Sequence, residues 1–382
     1  MGPCPQERVE THSNLLNSAG KIAPNKRVQF RPLLFLISLI VLVPLLGCAP
    51  DALQSTFGTA GPVAEKQLLL FNVLLWVMVA VFILVEGALL YSLVKFRRRP
   101  GDSWPVQVHG HTGLEITWTV IPTVLILALG IWSVFTLFEL KDPPVSADGA
   151  LEVTVTGHQW WWEFEYQDAD GSGRFINTSN ELTVPVGRPV KLLLNSDDVI
   201  HSFWIPKLAG KVDVVPTRNN RMWFQGDEVG TFYGQCAEFC GTAHALMKFR
   251  VHVLSEADYV NWVNNYGQPP GAVEALSGTA RKGQEIFMSS GACLACHTIE
   301  GVPGAMGVIG PNLTGLGNKQ TFASGIMDLN RENLRRWLKN PNDVKPGNRM
   351  SEQAPIYQTA DGNINLTEKE VSALIEYLLS LK

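Results

Sequence analysis

Cys236-Ala237-Glu238-Phe239-Cys240, with His244 and Met247 just beyond it and His201 upstream, is the stretch on which the reading of this chain turns. Thiolate, imidazole and thioether together form a soft ligand set that suits copper. A mononuclear blue-copper site uses one cysteine, two histidines and a weak methionine; the second cysteine here suggests two metals sharing sulfur. A Cys236–Cys240 disulfide and a structural zinc site are the alternatives. The surrounding sequence favours copper. Leu151 to Thr156, Glu181 to Val186 and Lys248 to Val253 alternate with period two, and Gly, Pro, Asn and Asp clusters separate them. Short strands with such turn signals predict a β-sandwich.

Downstream, Gly267-Gln268-Pro269-Pro270-Gly271 reads as a linker, and the following hundred or so residues are helical in pattern. They carry Cys293-Leu294-Ala295-Cys296-His297. Two thiols beside a histidine can form thioethers to both haem vinyl groups while the imidazole ligates iron. A zinc or redox Cys-x-x-Cys would need further ligands or a βαβ context, and neither is visible. Met306, Met327 and Met350 all follow the motif; Met350, in a loop after a helix, is the favoured second iron ligand. Thr367 with Glu370 predicts a capping box on the last helix.

Upstream, the chain changes character again. Only 17% of its 382 residues are charged, 46% are hydrophobic, and the net charge is −4. That composition excludes a disordered chain and a small disulfide scaffold, and its acidity argues against nucleic acid as a partner. Leu68 to Val94, containing only Glu86 as a charge, and Trp118 to Phe138, containing none, are long enough to span a bilayer. Lys95-Phe96-Arg97-Arg98-Arg99 between them places that loop in the cytoplasm and everything after residue 140 outside. Lys21, Lys26, Arg27 and Arg31 precede an apolar run that ends Leu45-Leu46-Gly47-Cys48. This resembles a bacterial lipobox, which implies removal of residues 1–47 and lipid on Cys48; an uncleaved anchor helix is the alternative.

Several motifs together resemble subunit II of the haem–copper cytochrome c oxidases. They are Asp198-Val199-Ile200-His201-Ser202-Phe203-Trp204-Ile205-Pro206, Tyr233 to Gly241, Gly157-His158-Gln159-Trp160-Trp161-Trp162 and Glu115-Ile116-Thr117-Trp118. With the haem motif behind them, the likeness is to the variant that carries a fused cytochrome c. The resemblance implies a multidomain membrane protein: a lipoprotein-type leader (1–47), a segment with a two-helix transmembrane hairpin (48–140, spans about 68–94 and 118–138), a cupredoxin-like β-sandwich (141–266), a linker (267–279) and an all-α class I cytochrome c domain (280–382). It implies a binuclear copper centre, CuA, bridged by Cys236 and Cys240. His201 and His244 would each ligate one copper, Met247 would be a weak ligand and the Glu238 carbonyl another. The Glu238 side chain would reach a magnesium ion shared with subunit I. Cys293, Cys296, His297 and Met350 would hold one covalent haem c. Trp160 matches the aromatic through which electrons enter, and Glu115 the carboxylate at the mouth of a proton path. Three consecutive tryptophans on a strand must alternate in direction, so they cannot all serve one face. Glu86 faces either a partner subunit or a functional site.

The implied function is electron entry into a terminal oxidase of the bacterial inner membrane, with both metal domains on the extracytoplasmic side. Subunit I, other oxidase subunits and a donor cytochrome or upstream complex would be its partners. A nitrous oxide reductase-like protein would need a second histidine-rich domain, and eight histidines scattered over the chain do not supply one. A copper-delivery lipoprotein would need neither covalent haem nor two spans.

Overall fold

The computed structural model describes residues 52–143, 149–266, 276 and 278–382. The leader, Cys48 and most of the linker lie outside these.

Two apolar helices come first: α1 (Pro62–Lys95) and α2 (Thr112–Glu139). Both are longer than the spans read from hydropathy, because a helix continues past the point where its side chains cease to be apolar. Pro62 at the first position of α1 costs no intrahelical bond. α2 is capped by His111, whose ring nitrogen accepts from the Leu114 amide, and it runs on through Pro122. Their apolar windows are not buried within this chain, so lipid or neighbouring subunits must cover them.

The hairpin is tied to the β-sandwich at both outer ends. The Ala60 amide donates to the Lys207 carbonyl, and the Ala60 carbonyl accepts from Asp227. Trp223 Nε1 donates to the carbonyl of Leu140, just past α2, at 3.0 Å. Ala60 and Val63 belong to the same apolar core as the sandwich.

Ten strands form that sandwich: β1 (Leu151–His158), β2 (Trp161–Tyr166), β3 (Ile176–Ser179), β4 (Glu181–Pro185), β5 (Val190–Ser196), β6 (His201–Trp204), β7 (Lys211–Val214), β8 (Asn220–Phe224), β9 (Gly230–Cys236) and β10 (Lys248–Leu254). One sheet runs β3-β2-β1-β5-β8 and the other β4-β10-β9-β6-β7. β1 with β5 and β4 with β10 are the parallel pairs. Alternating inward side chains fill the space between the sheets. At its centre Phe203 stacks on Phe249 at 4.3 Å, and Trp162 meets Phe203 edge-on at 5.1 Å. A short helix, α3 (Glu256–Asn265), closes the domain.

The C-terminal module has its own core. α4 (Gly278–Met288) crosses the last helix, α8 (Glu368–Ser380). A Cβ on Gly283 would lie 2.0 Å from the Ala373 carbonyl oxygen, so only glycine allows the two backbones this close. Between them lie α5 (Arg331–Lys339), α6 (Pro341–Val344) and α7 (Arg349–Gln353). The module also carries a two-stranded ribbon, β11 (Thr321–Phe322) with β12 (Met327–Asp328), which an all-helical expectation omits. Strands of two residues are too short to show alternation in sequence.

Candidate metal centres

The first centre is assembled by three strand ends. β6 pairs with β9 so that Phe203 opposes Cys236, which brings His201, at the start of β6, to the end of β9. The Cys236 amide donates to the Met247 carbonyl at 2.9 Å and the Ala237 amide to Ser202, closing the loop on itself. His244 begins a single 3-10 turn that leads into β10 and aims Met247 inward. Gly241, at φ +116, lets the loop turn beneath Trp160, whose ring a Cβ there would meet at 3.0 Å.

The donor atoms fall into two groups around a pair of sulfurs. Cys236 Sγ and Cys240 Sγ are 3.7 Å apart, well beyond a disulfide bond of about 2.05 Å. Beside Cys236 lie His201 Nδ1 at 3.9 Å and the Glu238 carbonyl oxygen at 3.2 Å. Beside Cys240 lie His244 Nδ1 at 3.5 Å and Met247 Sδ at 3.8 Å. The ligand atoms of His201, Cys236 and Cys240 all lie within 4.8 Å of one another, and all three residues are buried. Soft donors at these separations fit copper.

Electrostatics sets the two sulfurs apart. Hydrogen bonding between the two sulfurs is the chief cause that draws Cys236 well below an ordinary thiol and pushes Cys240 up. Burial pulls the His201 imidazole down, but the Asp198 carboxylate and Cys236 outweigh it and raise the ring. Asp198 Oδ1 accepts from His201 Nε2 at 2.9 Å and from the Val199 amide at 2.7 Å; Oδ2 accepts from the Gln159 amide at 2.7 Å and Arg349 Nη2 at 3.0 Å. With Nε2 committed to the carboxylate, the Nδ1 lone pair is left facing the sulfur pair.

The second centre is a largely apolar cavity lined by Cys293, Cys296, His297 and Met350. His297 Nδ1 donates to the Pro311 carbonyl at 2.8 Å, leaving Nε2 free for iron. Burial lowers its basicity, which keeps the imidazole neutral, as a ligand must be. A Cβ on Gly310 would lie 2.6 Å from His297 Cε1, so the glycine makes room for the ring. Of the three methionines considered, Met350 lines the cavity, Met327 is packed in the module's core and Met306 is 79% exposed. Together these groups fit a covalently held haem.

The two centres meet at Trp160. Its indole is 8% exposed and donates to the Cys240 carbonyl at 2.9 Å, and the same residue lines the haem cavity with Gln159 and Trp161. Trp160 precedes β2, so the alternation expected of a strand does not apply to it, and Trp160 and Trp161 share the cavity wall. Trp162, on the strand, points into the sandwich core beside Phe203 and His201. Above Trp160 sit Ser324 and Lys345 of the haem module; Ser324 Oγ donates to the Trp160 carbonyl at 2.6 Å, and Lys345 Nζ donates to it as well.

Other residues singled out from sequence stand apart. Glu115 is exposed in the first turn of α2, where a negative charge suits the helix dipole. Glu86 is half-buried within α1. The Glu238 carboxylate lies at the exposed tip of the copper loop, accepting from the Phe239 amide. Sequence reasoning gave no role to Asp198, Lys345 or Arg349. Asp198 is three residues before His201, a spacing that could have drawn attention to it, whereas nothing marks Arg349 or Lys345 before the two domains are seen in contact.

Comparison with known proteins covers all three described segments. Residues 52–136 match the cytochrome c oxidase subunit II transmembrane domain, residues 151–254 its periplasmic domain and residues 280–382 cytochrome c. Cytochrome c oxidase subunit 2 of Alkalihalophilus pseudofirmus is 38% identical over 360 residues, 93% of this chain and 97% of the relative. Its counterpart in Bacillus subtilis is 39% identical over 365 residues, 91% and 97% of the two chains. The solved periplasmic domain of subunit II of cytochrome oxidase (CoxB) of Bradyrhizobium japonicum is 32% identical and aligns with a TM-score of 0.28, covering 30% of this chain and 92% of that one. Because the likeness runs through nearly the whole of full-length relatives, the chain belongs to the cytochrome c oxidase subunit 2 family, in the form that carries a cytochrome c domain behind the copper domain.

Proposed function

We propose that this protein is the electron-entry subunit of a cytochrome c oxidase, held in the membrane by its helix hairpin with both metal domains on the periplasmic side. It partners subunit I, where oxygen is reduced to water with proton translocation. Bound haem and copper supply one-electron redox chemistry. The observation that carries the reading is Trp160, which borders the haem cavity while its indole hydrogen-bonds the backbone of Cys240. It offers a bridge that reaches the copper centre through one hydrogen bond and the haem cavity through its wall.

Within this reading Cys236 and Cys240, with His201, His244, Met247 and the Glu238 carbonyl, would hold two coppers. The paired arrangement supports it: each sulfur has one imidazole and one weak donor of its own, where a single metal would need only one such set. Cys293 and Cys296 would tether the haem, and His297 and Met350 would hold its iron. Glu238, at the exposed tip, is the side chain offered to a magnesium ion at the subunit I border. Glu115, at the cytoplasmic end of α2, is offered to a proton path. Cys48 is the lipid attachment point, the membrane is the bacterial inner membrane, and an external cytochrome or upstream complex is the donor.

Metal analysis of the purified oxidase tests the centres. Two coppers and one covalent haem per chain are expected, with an electron spin signal shared over both coppers. One copper with a localised signal, or zinc, would overturn the binuclear assignment. Co-purification with a multi-haem membrane subunit tests the oxidase assembly itself.

A further inference from the structure

Asp198 is saturated by four donors from three places: its own turn, the chain just before Trp160, and the haem module. The last of these is Arg349, the residue immediately before Met350. The carboxylate is 11% exposed and the guanidinium 33%, so the pair is partly shielded from solvent. Its other oxygen holds Nε2 of His201, which is fully buried. A side chain of one domain thus reaches a candidate copper ligand of the other through a single carboxylate.

We propose that Arg349 is a positioning residue through which docking of the haem module sets the reduction potential of the copper centre. The inference rests on the reading of His201 as a copper ligand and Met350 as a haem ligand. An unpaired carboxylate on Nε2 makes the imidazole a stronger donor and stabilises the more positive, oxidised centre. Arg349 offsets that charge from the other carboxylate oxygen, so it favours the reduced centre. A merely structural surface ion pair would add a little to docking and leave the potential alone.

Redox titration of the copper absorption in the purified holoenzyme separates the two roles. Arg349→Gln is expected to lower the equilibrium constant for copper reduction about tenfold, which is about 59 mV for a one-electron couple. Arg349→Lys keeps the charge and should stay close to wild type. In an Asp198→Asn background, Arg349→Gln should add nothing, because the carboxylate it offsets is gone. An unchanged potential in Arg349→Gln at full copper and haem content overturns the proposal. So does an Arg349→Lys value as low as that of Arg349→Gln, or a full shift in the Asp198→Asn background. Failure of the underlying reading would show separately, as absent copper or haem in the wild type.

Discussion

Beside His297, the proposed iron ligand, Gly310 leaves no room for even one added carbon, since a Cβ would sit 2.6 Å from His297 Cε1. Gly310→Ala is therefore expected to displace the ring, and the visible spectrum of the reduced protein should show loss of normal axial ligation with covalent haem retained. Trp160 invites a subtler change. Trp160→Phe keeps an aromatic ring in the wall but removes the Nε1 donor to Cys240. Electron transfer into the copper centre should slow by roughly tenfold, a barrier change of ~1.4 kcal/mol, with metal content unaltered; flash-induced absorption changes would measure it. At this scale the candidate ligand residues were legible because metals demand particular donor types at close spacing. Arg349 was not, because its significance lies in a contact across 151 residues of chain.

Among the elements, the last helix is the clearest case of local sequence dictating structure. Thr367 Oγ1 accepts from the Glu370 amide, and the Glu370 carboxylate accepts from the Thr367 amide at 2.7 Å. α8 then buries Val371, Leu374, Ile375 and Leu378 along one face. Thr367→Ala should cost about 1 kcal/mol, read as a lower thermal midpoint of the haem-module transition. The capping signal and the apolar periodicity both sit within a few residues of each other, which is why this helix could be read directly. The tryptophan run shows the opposite. Its alternation rule holds only from Trp161 onward, since β2 begins there, and where a strand starts depends on partners that sequence order does not display. The membrane helices were found by hydropathy, but their polar ends, anchored by Ala60 and Leu140 to the sandwich, carry no hydropathic signal.

Across the whole molecule, the haem module is fastened to the sandwich by buried polar contacts as well as apolar ones. Glu181 accepts from the amides of Gln320 and Thr321 and from the Thr321 hydroxyl, and Lys319 donates to the Ser179 carbonyl at 2.7 Å. Burial alone would raise the Glu181 carboxyl, but His252, Lys319 and Thr321 outweigh it and hold its pKa below 4.5. A depressed carboxylate contributes fully above its ordinary pKa and loses that contribution as pH falls through the depressed value. Burial pulls Lys319 down to about 8, so the docked lysine sheds its proton first and docking gains as pH rises from there towards 10.5. Hydrogen-exchange protection of residues 319–324 should therefore fall below pH 4.5 and strengthen above pH 8. Glu181→Gln at neutral pH should weaken the docking by ~3 kcal/mol, the scale for breaking a buried pair. The haem cavity adds a consequence for how the protein is made. Part of its wall, Gln159 to Trp161, belongs to the copper domain, so docking completes that side of the cavity. A chain whose copper domain has not folded therefore offers haem a cavity that lacks this wall.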